Sequence, residues 1–169
     1  GMPIIWHILK IYSHYGFNEF IICCGFKGYV IKEYFANYSL HASDITIDMS
    51  NNSDIKVHQS SIEPWRITLV NTGELTKTGG RLKRIRNYLN KNESFCMTYG
   101  DGLSDVNLRN LVSFHLENKC QATLTAVKPP GRFGAIKLVG STVNNFQEKP
   151  DVDNSWINGG FFVLKDSVL

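Results

Sequence analysis

Asp101 stands between Gly100 and Gly102, directly after the apolar run Ser94–Tyr99. A carboxylate released at the end of such a run, with both neighbours stripped of side chains, suits a hard cation. Mg²⁺ binds through one or two carboxylates and takes its remaining ligands from water and substrate phosphates. The flanking glycines would also let a large nucleotide come close to the backbone. A turn aspartate followed by glycine is common in ordinary loops, so spacing by itself leaves both readings open.

Placing Asp101 at a site requires a scaffold, and the pattern of the chain predicts one. Pro3 suits a first helical turn, Ile4, Ile5, Ile8, Tyr12 and Tyr15 keep helical spacing, and Gly16 is a stop. The stretch 18–25 reads as a fully buried strand closed by Gly25, and 28–38 returns to a helical pattern. Residues 44–59 alternate apolar and polar around 51–54, the signature of a hairpin, and 66–70 is a further strand. Thr78-Gly79-Gly80 is expected as a tight turn feeding a helix with Leu82, Ile85 and Leu89 on one stripe. After the strand at 94–99, Asp105 is expected to cap a helix bearing Leu108, Leu111, Val112 and His115. Strands at 122–127 and 157–164 and a hairpin across Gly140-Ser141 complete the pattern. Helices alternating with strands predict an α/β fold in a single domain over 1–169, with ligands expected beyond the carboxyl ends of the strands.

Composition narrows the function classes. Net charge is only +3, which suits a phosphate-bearing ligand without calling for nucleic acid. No apolar run approaches the ~18–20 residues of a membrane span. No signal-peptide pattern is visible, and Cys23, Cys24, Cys96 and Cys120 lack CxxC spacing, which predicts reduced thiols, no zinc and a cytoplasmic location. Lys83, Arg84 and Arg86 fall opposite the apolar stripe of their helix, as on a solvated face. His7 and His14 have no third ligand near them in sequence, and Trp65 and Trp156 read as packing residues.

The motifs "TYGDG", "PPGRFGA", "FQEKP" and "WINGGFFV", in this order and at these intervals, resemble those of the sugar-1-phosphate nucleotidyltransferases. The stretches "WHILKIYSHYGFNEFIICCGFKGYVIKEYF", "EPWRITLVNTG" and "TGGRLKRI" resemble more narrowly the glucose-1-phosphate cytidylyltransferase branch. The resemblance spans nearly the whole chain. It implies a Rossmann-like, GT-A-like mixed sheet with flanking helices, and a reaction in which glucose-1-phosphate attacks the α-phosphorus of CTP, releasing pyrophosphate and forming CDP-glucose. It implies Mg²⁺ on Asp101 and a nucleotide side built from Thr78, Gly79, Gly80, Arg81 and Gly100. It further implies a sugar-phosphate side built from Gly134, Glu148, Lys149, Asn158 and Gly159. Thymidylyl and uridylyl relatives share several of these motifs, so the choice of base and sugar rests on the narrower resemblance.

The family pattern also contains a GGxGTR loop with its preceding strand, a PKP-like lysine motif, and a second metal-binding aspartate beyond the "NGGFF" strand. The loop and the lysine motif do not occur in the 169 residues, and Asp166 lies too close to that strand to take the second metal-binding role. The sequence therefore predicts a partial domain, truncated at both ends, with little or no turnover by itself. The alternative expectation is a non-catalytic remnant that keeps sugar-phosphate binding or oligomer contacts. Strands lacking their usual neighbours would expose pairing edges, and so predict a homo-oligomer.

Overall fold

A computed structural model describes residues 1–50, 53–128, 135–147 and 156–169. They form two compact units, Gly1–Glu93 with Leu169, and Ser94–Val168.

In the first unit α1 (Ile4–His14) buries Ile8, Leu9 and Tyr12 and ends where Gly16 turns with φ +90°. Helix α2 (Gly28–Ala36) and a short α3 (Tyr38–His41) follow β1 (Glu19–Cys24), which pairs in parallel with β4 (Arg66–Asn71) from Glu19↔Arg66 to Cys24↔Asn71. Large rings gather around Trp65, which stacks on Tyr38 at 5.9 Å and meets Trp6 and Phe20 edge-on at 6.0 and 6.1 Å. Trp65 is thus a packing residue. The expected fully buried β1 is only half-buried except at Cys24, because β4 is its one strand neighbour among the described residues. Between α3 and β4, the expected hairpin forms from β2 (Ser43–Asp48) and β3 (Asp54–Ser60).

The unit closes with α4 (Thr78–Ile85) and a 3₁₀ turn at Arg86–Tyr88. Gly79 and Gly80 lie inside the first turn of α4 rather than in a turn before it. The first N–H groups of a helix have no intrahelical partner, so glycine costs least there, and a side chain at Gly80 would touch Thr76 Cγ2 at 2.8 Å.

In the second unit β9 (Ile157–Lys165) is the centre of a three-stranded antiparallel sheet. It pairs with β5 (Ser94–Thr98) on one side and β6 (Ala122–Val127) on the other. Helix α5 (Leu108–Glu117) buries Leu108, Leu111 and His115. Its cap is Asn107, not the expected Asp105. The Asn107 side chain accepts from the Asn110 N–H at 3.0 Å because the helix starts three residues beyond Asp105. Hairpin β7 (Ala135–Val139) and β8 (Thr142–Gln147) turns through Gly140 at φ +62°. Among the described residues no helix is long and apolar enough to cross a membrane.

Candidate functional site

Strands β5 and β6 both run antiparallel to β9, so they are parallel to each other. Their carboxyl ends therefore share one sheet edge with the start of β9. Thr98↔Phe161 is the last pair of β5 with β9, which brings Gly100-Asp101-Gly102 to the same edge as Asn158 and Gly159. The motifs lie far apart in sequence and meet through this pairing.

Asp101 is exposed and has no hydrogen-bond or ion-pair partner among the described residues. A side chain at Gly100 or Gly102 would meet nothing within 4 Å. Both glycines that flank Asp101 thus border open space. Among the described residues no group of three His, Cys, Asp or Glu side chains converges as a metal cage. The donor set therefore fits a cation that accepts one protein carboxylate and completes its shell with water and phosphate oxygens. It does not fit a structural zinc.

The "NGG" segment has a different local logic. Leu124↔Phe162 and Ala126↔Asn158 are consecutive pairs across which β9 carries extra residues, so Gly159, Gly160 and Phe161 face Thr125 alone. This is a bulge, a device that bends a strand and re-aims its side chains. Gly160 adopts φ +81°, which only glycine takes without strain. At Gly159 a side chain would sit 2.7 Å from Thr125 Oγ1. The Thr125 hydroxyl donates to the Phe161 carbonyl at 3.2 Å and accepts from the Phe161 N–H at 3.3 Å, filling the gap in the ladder. Asn158 Oδ1 accepts from the Gly160 N–H at 2.8 Å, and its Nδ2 donates to Tyr99 Oη at a long 3.4 Å.

Two further groups belong to this edge. Trp156 is 65% exposed, against the expectation of a packing role; among the described residues the Lys128 ammonium lies over its ring, 5.4 Å from the centroid. Tyr99 was not singled out by its sequence position; an aromatic residue at a strand end carries no distinctive signal. Gly134, Glu148 and Lys149 lie outside the described residues.

The nucleotide-side candidates of the first unit sit at the carboxyl ends of β1 and β4. Thr78, Gly79 and Gly80 form the exposed start of α4. Arg81 reaches across both strand ends: Nη1 donates to Thr72 Oγ1 at 2.7 Å and Nη2 to the Glu74 carbonyl at 3.1 Å. A side chain at Gly25 would come within 2.6 Å of Arg81 Nη1. Buried Thr72 in turn donates its hydroxyl to the Cys24 carbonyl at 2.9 Å, tying β4 to β1. Burial pushes the Cys23 thiol up while the Arg81 charge pulls it down. Arg84 is exposed, as expected of a solvated face, and its guanidinium also donates to the Thr72 carbonyl and to Thr76 Oγ1. His7 and His14 are exposed and join no ligand cluster among the described residues.

The nucleotidyl transferase family model matches residues 1–169. The glucose-1-phosphate cytidylyltransferases of Salmonella typhi and Salmonella typhimurium are each 54% identical to this chain over all 169 residues. The chain spans 65% of the length of each. The crystal structure of HddC from Yersinia pseudotuberculosis superposes with a TM-score of 0.62 at 17% identity, covering 99% of this chain and 65% of that one, and shows the same fold. The chain thus belongs to the nucleotidyl transferase family, whose members generally use a divalent metal.

Proposed function

We propose that the chain forms part of a glucose-1-phosphate cytidylyltransferase, both units contributing to one nucleotidyltransferase domain over 1–169. The observation that carries this reading is the edge where the free carboxylate of Asp101 stands beside the "NGG" bulge, in a chain 54% identical to proteins of that name. In the proposed reaction a phosphate oxygen of glucose-1-phosphate attacks the α-phosphorus of CTP, the bond to the β-phosphate breaks, and pyrophosphate leaves with its electron pair. Such a displacement depends on positioning and charge neutralisation, and needs no protein nucleophile.

Asp101 would hold Mg²⁺, which when bound supplies positive charge to the phosphate oxygens. Gly100 leaves room for the nucleotide beside it. Thr78, Gly79 and Gly80 offer an exposed helix start to the base, and the donors of Arg81 not used by Thr72 and Glu74 are assigned to the nucleotide. On the sugar side, Gly159 and the second N–H of the Asn158 amide are assigned to glucose hydroxyls. Glu148, Lys149 and Gly134 are assigned there by resemblance. The four cysteines are free, which supports a reducing, cytoplasmic setting.

A second reading has its own support. With Asp101 the free carboxylate at the edge and no convergent metal cage among the described residues, the chain would bind nucleotide and sugar phosphate without turning them over. Self-association is also proposed, since the β2–β3 hairpin exposes Ile47, Ile55 and Val57 on one face. A solution mass equal to one chain at micromolar concentration would contradict it.

The test is calorimetric titration with CTP, UTP, dTTP and GTP in the presence of Mg²⁺, followed by pyrophosphate release with glucose-1-phosphate added. The proposal predicts tightest binding for CTP. Pyrophosphate release above background, lost in Asp101→Ala, identifies an active enzyme, and CTP binding without release identifies the second reading. Equal binding of all four nucleotides, or of none, would contradict the cytidylyl assignment.

A further inference from the structure

We infer that Tyr99 is a positioning residue that clamps the Asp101 turn onto the bulge of β9, with Asn158 acting through it. The inference rests on the reading of Asp101 as the cation-binding carboxylate. Tyr99 separates the last ladder residue of β5, Thr98, from Gly100-Asp101. Three groups of β9 hold its side chain. Its ring meets Phe162 edge-on at 5.7 Å between centroids. The ring also covers Gly160, where a side chain would touch Tyr99 Cδ2 at 3.3 Å. Its hydroxyl receives the Asn158 amide at 3.4 Å. Just before it, the Thr98 hydroxyl donates to the Gly160 carbonyl at 2.8 Å.

These contacts form one chain of constraints. The Asn158 carbonyl oxygen is taken by the Gly160 N–H, which fixes the bulge, and the amide nitrogen of the same side chain reaches Tyr99. Gly160, held in its left-handed conformation, presents a flat backbone surface to the Tyr99 ring. At Gly100 and Gly102, on either side of Asp101, an added side chain would meet nothing within 4 Å. Without the clamp, nothing described around Gly100 and Gly102 would fix where the Asp101 carboxylate stands. A site binds well only when its ligating group is held by neighbours whose own conformations are fixed. Tyr99 and Asn158 supply that support from 59 residues apart.

The test uses Mn²⁺, which favours the same oxygen ligands, with free ion followed by its paramagnetic resonance signal in the parent chain and in Tyr99→Phe, Asn158→Ala, the double variant and Asp101→Asn. Thermal melting and near-ultraviolet dichroism are recorded for each. The clamp predicts that Tyr99→Phe and Asn158→Ala each weaken Mn²⁺ binding about 5-fold, the scale of one hydrogen bond, with melting of Tyr99→Phe unchanged. Because Asn158→Ala already removes the Tyr99 hydrogen bond together with the one from the Gly160 N–H, the double variant should lose no more than Asn158→Ala alone. In the parent, Mn²⁺ should broaden the Asn158 side-chain amide resonances. Parent-like binding in Tyr99→Phe and Asn158→Ala, with binding lost in Asp101→Asn, would overturn the clamp and leave the Asp101 reading standing. Additive losses in the double variant would also overturn it. Unchanged binding in Asp101→Asn, or none in the parent, would overturn the Asp101 reading and the clamp together. If Asn158→Ala fails to fold, Tyr99→Phe decides alone.

Discussion

Two charged residues beside glycines act at strand ends of this molecule, and the fold uses them differently. In "TGGR" the guanidinium of Arg81 is bonded to Thr72 and Glu74 and braces the ends of β1 and β4. In "GDG" the Asp101 carboxylate has no partner among the described residues, and its glycines border open space. The same kind of motif thus serves cohesion in the first unit and leaves a charge available for a ligand in the second. A glycine beside a charge is informative only once it is known what a side chain there would strike.

The largest effect expected from this contrast is at the packed glycines of the "NGG" bulge. Gly159→Ala places a methyl group 2.7 Å from Thr125 Oγ1 and 3.1 Å from Val127 Cγ1. Overpacking of this kind costs about 1–3 kcal/mol, read as a lower urea midpoint. Parent-like stability would show that Thr125 moves freely and that the bulge does not depend on glycine. Next comes Arg81→Lys, which keeps the charge and loses the fork. We expect about 1–2 kcal/mol of lost stability from charged hydrogen bonds in a half-exposed setting. No loss by denaturant titration would mean that Arg81 is as free as Asp101, and the comparison would collapse.

A third prediction concerns pH. His115 is 0% exposed, with Nε2 3.1 Å from Ser94 Oγ and Nδ1 2.9 Å from Thr123 Oγ1. Burial, and then the charge of Lys165, hold its pKa below the ordinary histidine value of 6.5. The unfolded chain therefore takes up a proton near pH 6.5 that the folded chain resists. The His115 contribution to stability is present above that pH and is lost as pH falls below it. Denaturant midpoints at pH 7.5 and 5.5 should diverge more in the parent than in His115→Gln. Equal divergence would remove His115 as the cause. The smallest effect is at Gly100→Ala, where the methyl group enters open space and stability should stay within about 0.5 kcal/mol of the parent. A larger loss would show that this glycine, too, is structural.

Much of the fold is legible in the sequence because periodicity marks where apolar faces turn inward. The helix over Ile4–His14, the hairpin of β2 and β3 and the strand at Ala122–Val127 follow directly from it. Local chemistry was less certain at element starts. Asn107 and Asp105 are both able caps, and only the backbone direction at Leu108 selects Asn107. Pairing order was not legible, since nothing local says that β9 lies between β5 and β6. The site shares that limit. Asp101 and Asn158 were each recognisable within their motifs, whereas the contact of Tyr99 with Asn158 exists only after β5 and β9 pair. Trp156 illustrates the converse: a large ring reads as core, yet this one is exposed.

The central claim is that Asp101 is the charge left free for a ligand. The most direct measurement is calorimetric titration of glucose-1-phosphate into the chain, with and without Mg²⁺, compared with Asp101→Asn. The account predicts Mg²⁺-dependent binding in the parent, loss of that dependence in Asp101→Asn, and equal melting temperatures for the two chains. Binding that is indifferent to both Mg²⁺ and the substitution would contradict it.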